Sequence, residues 1–204
     1  MTEAMRSLEA AFLIGVEGVT EVWLVRHADC YEGMSEGADP HLSPLGRTQA
    51  DLLANRVRRL KKAPRTRRLR REFAGAPGVA AIYSSPYRRA LETARTIADD
   101  VNVDDRLVEM EMELGDDGAL DFKELPASVI ERMGAAINDI ARAHPGGRVI
   151  VVAHGAAMIV FLTHVLRLEP GHLRFLPYFT SVNVVRVLGD RQMVGTLGDM
   201  SHLE

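Results

Sequence analysis

Two rhythms of apolar residues alternate along this chain. Short unbroken runs occur at Val22 to Val25, at "VAAIYS" (79–84) and at "RVIVVA" (148–153), the pattern of strands covered on both faces. Between them, apolar residues recur every three or four positions. Ser43 as N-cap and Pro44 at the first helical position open "SPLGRTQADLLANRVRRL", which places Leu45, Leu52, Leu53, Val57 and Leu60 on one face. A second helix is predicted after Pro86 through Tyr87, Leu91, Ala94 and Ile97. A third runs through Ile130, Met133, Ile137 and Ile140 and stops at "PGG" (145–147). A fourth follows through Met158, Ile159, Leu162, Val165 and Leu166. "SVNVVRVL" and "MVGTL" read as two closing strands, one of them antiparallel to the rest. Each crossover helix must bury its apolar stripe on a sheet face, so the expected fold is α/β: a three-layer α/β/α sandwich with a mostly parallel central sheet. Residues 1–20 are expected to form a helical extension with Leu8, Phe12 and Ile14 facing inward, on the domain or on a second subunit. Residues 21–204 form the domain itself, and a homodimer is a candidate assembly.

Composition narrows the partners. The 204 residues are 47% hydrophobic and 26% charged, with a formal net charge of -3; neither nucleic acid nor a membrane is the default partner at that charge. The charge is nonetheless uneven, because Arg56, Arg58, Arg59, Lys61, Lys62, Arg65, Arg67, Arg68, Arg70 and Arg71 fall within 56–71. Such runs are ordinarily solvated faces, and the sharper alternative is a contact for an acidic partner or a polyphosphorylated ligand. Cys30 is the only cysteine, which excludes an intrachain disulfide and suits a reducing compartment. "MTEAMRSLEAAFLIGVEGV" reads as neither signal peptide nor membrane span, and a cytoplasmic location is expected.

Candidate chemistry gathers where strands end. "VWLVRHA" and "VIVVAHG" each deliver a histidine, His27 and His154, as the chain leaves a buried strand, and ligands of open α/β sheets sit outside those carboxyl ends. If the two strands are neighbours, both imidazoles face one pocket. The helix after His154 offers N-terminal amides to an anion. "SSPYRRALETA" sets Arg88 and Arg89 in a first helical turn, where the helix dipole disfavours cations and an anionic partner is called for. Taken alone, each feature has an ordinary explanation: a satisfied strand-end histidine, or an exposed ion pair with Glu92.

Together, "LVRHA", "LSPLGRTQA", "SSPYRRALETA", "RLVEM", "VVAHG" and "GDMSHL" resemble, in order and spacing, the histidine phosphatase superfamily with its phosphoglycerate mutase-like fold. The resemblance spans Glu21 to Leu203. It implies a phosphate pocket of Arg26, His27, Arg89 and His154, with His27 as nucleophile and a nearby glutamate as proton donor. Glu109 is the donor when the alignment starts from Asp-x-Arg-Leu-x-Glu, and Glu111 is the alternative when it is read back from Gly115. Gly46 and Gln49 match a G-x-x-Q helix taken as structural. The chain departs from its relatives at Ala28-Asp29-Cys30 and lacks their early asparagine, leaving Ser35 as a candidate phosphate donor. Glu113, Asp116 and Asp117 are expected at the rim.

The residue chemistry agrees with that assignment. A phosphomonoester dianion suits the forked, permanently charged donors of arginine. A histidine nucleophile must be neutral, and adjacent guanidiniums favour the neutral ring. Attack on phosphorus would give a phosphohistidine, with His154 donating to the phosphoryl oxygens. No metal and no cofactor is expected, because the arginines carry the compensating charge. The leading expectation is a phosphomonoester hydrolase for a small phosphorylated metabolite, favoured by the short interval between Glu109 and His154. The alternatives are a 2,3-bisphosphoglycerate-dependent mutase and a phospholigand-binding scaffold with weak turnover. Specificity is expected to rest on Tyr31 to Asp39 and Gly115 to Leu125.

Overall fold

The computed structural model describes residues 2–31, 39–60, 78–114, 120–169 and 172–204, with the backbone alone for 112–114, 120 and 121. Its strands are β1 (Thr20–Arg26), β2 (Ala81–Ser84), β3 (Asn102–Val103), the hairpin β4 (Met112–Leu114) and β5 (Leu120–Phe122), β6 (Arg148–Ala153), β7 (Val182–Leu188) and β8 (Arg191–Asp199). All but the hairpin form one sheet in the order β3-β2-β6-β1-β7-β8. β1, β2, β3 and β6 are parallel, and β7 pairs antiparallel with both β1 and β8. β7 is therefore the one strand of this sheet that opposes the others.

Alternation of side chains along β1 and β6 divides the core in two. Val22, Leu24, Val149 and Val151 meet α4 (Pro126–Ala143) and α5 (Gly155–Val165), while Trp23, Val25, Ile150 and Val152 meet α2 (Pro44–Leu60) and α3 (Arg88–Ile97). Both faces are covered, which is why these strands read as unbroken apolar runs. Fully burying each such side chain contributes about 1.5–3 kcal/mol. The mostly parallel, three-layer expectation agrees with this architecture.

The helices differ from expectation in which residues they bury. In α2 the buried stripe is Gly46, Gln49, Ala50, Leu53, Ala54 and Val57, whereas Leu45 and Leu52 are exposed. Small residues prevail because the helix lies against the chain that follows β1: a Cβ on Gly46 would stand 1.9 Å from the Asp29 carbonyl oxygen. In α3 the buried residues are Ala90, Thr93 and Ala94, and Tyr87 is the N-cap rather than part of the apolar stripe. In α4 Val129 and Ala136 join Met133, Ile137 and Ile140, with Ile130 half-buried.

The N-terminal helix α1 (Glu3–Ala11) forms, but none of its residues is buried. Leu8 and Phe12 are 54% and 52% exposed, so of the two expected placements they do not take the one on this domain. The residue that does face inward is Leu13, just past the helix at φ 55 and 1% exposed. The basic run is likewise partly absorbed. Arg56 pairs with Asp199 and lies 5.1 Å from the Trp23 ring centroid, so it ties the C-terminal segment to α2. Residues 61–71 lie outside the described residues. Among the described residues, no helix is long and apolar enough to cross a membrane.

Candidate active site

β1 and β6 are hydrogen-bonded neighbours with Arg26 opposite Ala153, so His27 and His154 leave the sheet side by side. Their ring centroids are 5.2 Å apart. His27 Nδ1 lies 2.8 Å from the Ala28 carbonyl oxygen. A carbonyl only accepts, so Nδ1 carries the hydrogen and the lone pair resides on Nε2. Arg89 Nε–H donates to that Nε2 at 3.3 Å. The His27 pKa is lowered to about 3, first by burial, against the opposing Ala28 carbonyl bond, and then by Arg89 and Arg26. Burial outweighs the guanidiniums that sequence reasoning held responsible.

His154 is fully buried. Its Nε2 sits 2.8 Å from Ser85 Oγ, and its Nδ1 has no hydrogen-bond partner among the described residues. Burial, followed by His27, Arg89 and Arg26, holds this imidazole well below its ordinary pKa.

The two arginines flank these rings. Arg26 donates through Nη1 to the Pro177 carbonyl at 2.9 Å and stacks its guanidinium 4.0 Å from the Phe179 centroid. Its Nε, also buried, has no partner among the described residues. A Cβ on Gly155 would lie 3.3 Å from that nitrogen, so the glycine keeps it unobstructed. Burial lowers the Arg26 pKa, with Glu109 opposing, and an arginine remains charged under both influences. Arg89 stands 3.6 Å from Asp39 and 4.9 Å from the Tyr87 centroid.

Asp39 rather than Glu92 is the acid at this helix end. Both Asp39 oxygens accept the Arg88 N–H, at 2.8 and 3.0 Å, and so cap α3, whose N-cap Tyr87 supplies no side-chain bond. Glu92 binds His41 and accepts the Leu42 N–H at 3.0 Å, so the ordinary explanation of the arginines as a pair with Glu92 is not what the described contacts show.

Glu109 occupies the start of α5. Its Oε1 accepts from the N–H of Ala157 at 2.9 Å and of Met110 at 2.8 Å, and its Oε2 from Ala156 at 3.3 Å. The amides expected to hold a ligand anion are therefore engaged by the chain's own carboxylate. Arg132 on α4 steadies the approach, donating to the Arg106 and Val108 carbonyls at 2.8 Å each. Glu111 is exposed, and its backbone carbonyl accepts from Lys123 and Glu124 at the hairpin's base. Glu109, not Glu111, is the carboxylate at this helix.

α2 braces the chain after His27. Gln49 Oε1 accepts the Asp29 N–H at 2.9 Å, Ser43 N–H donates to the Asp29 carbonyl at 3.1 Å, and Ser43 Oγ donates to the Asp29 carboxylate. Gly46 and Gln49 thus have the structural part expected of them. Ser35, Asp116 and Asp117, and the side chain of Glu113, lie outside the described residues. Ser85, Tyr87, Phe179 and Asp39 were not singled out as site residues by sequence reasoning. "SSPY" and the aromatic "PYF" before β7 were the available signals.

The family model described as histidine phosphatase superfamily (branch 1) matches residues 64–124 and 113–200, together more than half of the chain. The chain belongs to the histidine phosphatase superfamily. The matched residues include Arg89, Glu109 and His154; Arg26 and His27 precede them. This superfamily member is 27% identical over 219 residues to phosphoglycerate mutase-like protein 4 of Arabidopsis thaliana, covering 90% of this chain and 87% of that protein. Among solved structures it resembles Bacillus stearothermophilus YhfR, with 26% identity, a TM-score of 0.69 and coverage of 91% of this chain and 100% of the other. A phosphoserine phosphatase from Entamoeba histolytica, solved with phosphoserine, superimposes with a TM-score of 0.68 at 19% identity, covering 91% and 100%. The fold is phosphoglycerate mutase-like.

Proposed function

We propose that this histidine phosphatase superfamily member hydrolyses a small phosphorylated metabolite through a phosphohistidine on His27, without a metal. The observation that carries the reading is a set of buried nitrogens on neighbouring side chains: a neutral His27 with its lone pair on Nε2, and Arg26 Nε and His154 Nδ1, neither of which has a partner among the described residues. Buried polar groups without partners are costly, about 1–3 kcal/mol each, and a phosphoryl group supplies acceptors for both. The phosphoserine phosphatase of like fold supports a phosphomonoester as the ligand class.

In the first step Nε2 attacks phosphorus while the bond to the leaving oxygen breaks, and Glu109 gives that oxygen its proton. Arg89 Nε–H must turn from Nε2 to a phosphoryl oxygen, so substrate arrival itself releases the nucleophile's lone pair. Oε2 is the better proton carrier on Glu109, because its single contact is the longest of the three and the two to Oε1 persist. In the second step the ionised Glu109 takes a proton from water, the new oxygen bonds phosphorus, and the phosphorus–nitrogen bond returns its pair to His27. The guanidiniums of Arg26 and Arg89 carry the charge compensation that a metal supplies elsewhere.

A mutase is the second reading, favoured by the name of the curated Arabidopsis relative. Against it, much of the interval from Glu109 to His154 is taken up by α4 and β6, which pack into the core, leaving little chain to retain a bisphosphate. A turnover screen across phosphomonoesters, with and without 3-phosphoglycerate plus bisphosphoglycerate, tests both. Hydrolysis that is insensitive to a chelator and inhibited by vanadate is expected. Isomerisation exceeding hydrolysis would favour the mutase, and loss of activity on chelation, restored by magnesium or zinc, would overturn the metal-independent scheme.

A further inference from the structure

Among the described residues, His154 has one hydrogen-bond partner for its two ring nitrogens. Which nitrogen carries the proton decides what the ring can offer an anion, since Nδ1–H donates to a phosphoryl oxygen whereas a bare Nδ1 lone pair repels it. With Nε2 at 2.8 Å from Ser85 Oγ, Nδ1 is the nitrogen left for a ligand.

Ser85 follows β2 and is itself fully buried. Its backbone N–H donates to the Val152 carbonyl at 3.0 Å, which fixes it to the strand that delivers His154. Its Oγ accepts the Tyr87 N–H at 3.3 Å. A hydroxyl has one proton and two lone pairs. If His154 Nε2 carried a hydrogen, Ser85 Oγ would accept twice and its own buried proton would find no acceptor among the described residues. If Ser85 O–H donates to Nε2, both Ser85 contacts are satisfied and a neutral ring must then hold its hydrogen on Nδ1, the one group left for a ligand. The ring is neutral because it is buried beside His27, Arg89, Arg26 and Arg132. Tyr87, edge-on to the imidazole at 5.1 Å between centroids, packs against the same ring.

We propose that Ser85 is a positioning residue that sets the tautomer of His154, so that Nδ1–H is presented to the phosphoryl group bound at His27. The use of that hydrogen rests on the phosphatase reading, whereas the tautomer itself does not.

The test is a long-range proton–nitrogen correlation spectrum of the wild-type protein labelled with 15N-histidine at neutral pH, His154 being assigned by comparison with His154→Asn. The expected result is a protonated Nδ1 and a bare Nε2. Ser85→Ala should lose this preference and lower kcat by about tenfold or more, below the ~10²–10³ of deleting such a donor outright, with little change in KM. Ser85→Thr, which keeps the hydroxyl, should recover both signals. A wild-type spectrum with hydrogen on Nε2, or an unchanged tautomer in Ser85→Ala, would overturn the proposal. The first reading uses wild type alone, so it decides the matter even if Ser85→Ala does not fold. The expected tautomer in a protein that turns over no phosphomonoester would instead remove the phosphatase reading and leave the Ser85 assignment standing.

Discussion

His27 and His154 stand at matching ends of adjacent parallel strands, both buried and both neutral, yet they are anchored by opposite nitrogens. The Ala28 carbonyl holds Nδ1 of His27 and leaves a lone pair on Nε2; Ser85 holds Nε2 of His154 and leaves Nδ1. On the proposed reading, one residue type at equivalent positions serves as a nucleophile in one case and a donor in the other. The surroundings differ in the same sense. The His27 side is braced through backbone by α2, and the His154 side is completed by a carboxylate, Glu109, seated on the first amides of α5.

The widest effect should come from that carboxylate. General acid assistance is worth ~10²–10⁴-fold, and p-nitrophenolate needs far less of it than an alkoxide. Glu109→Gln should therefore lose most of its rate on an alkyl phosphate and much less on p-nitrophenyl phosphate, while Glu111→Gln resembles wild type on both. The ratio of the two rates within one variant is the quantity to measure, because it cancels any loss shared by both substrates, including a weakened cap on α5. A reversed pattern would move the acid to Glu111.

His154→Ala removes a donor but not the nucleophile, so kcat should fall by about 10²–10³-fold while a phosphoenzyme still forms slowly. Failure to form any would mean that the two histidines are less separate in role than their anchoring implies. Gly46→Ala probes the brace on the other side. The new Cβ would meet the Asp29 carbonyl at 1.9 Å, which forces apart α2 and the chain beside His27, and a displacement near 1 Å there is worth about 10²-fold in rate. Wild-type kinetics in a folded Gly46→Ala protein would show that the brace does not position His27.

The smallest effect is on stability. The unfolded chain protonates His27 near 6.5 and the folded one only near 3, so between these values the unfolded state binds more protons and folding weakens as pH falls. Each such histidine contributes a slope of up to about 1.4 kcal/mol per pH unit below its ordinary value. Urea midpoints between pH 6.5 and 5 should decline, and replacing either histidine with glutamine should flatten the decline. Midpoints independent of pH across that range would contradict neutral burial of the pair.

The strands that carry this site were legible because they are buried on both faces: β6 was bounded at 148–153 from its apolar run alone. β3, two exposed residues at a sheet edge, has no such signature, and the β4–β5 hairpin left none that was read. In α2 the apolar pattern finds Leu53 and Val57 in the core but not the small residues beside them, Gly46, Ala50 and Ala54, which are buried where Leu45 and Leu52 are exposed; at Gly46 the close approach of the Asp29 backbone is the reason. The motifs located Arg26, His27, Arg89 and His154 at one place. The partners that define their states, Ser85 for His154 and Phe179 for Arg26, meet them only through strand neighbours and a distant coil, a relation that spacing along the chain does not carry. Glu109 was named as the acid, but its seat on the α5 amides required the fold.

The central claim is that the His27 lone pair takes the phosphoryl group. Brief exposure to a phosphate-labelled substrate, quenching in alkali and peptide mapping test it directly. The account predicts a base-stable, acid-labile phosphoryl group on the peptide containing His27, absent in His27→Ala together with all turnover. Label on another residue, or undiminished labelling in His27→Ala, would contradict it.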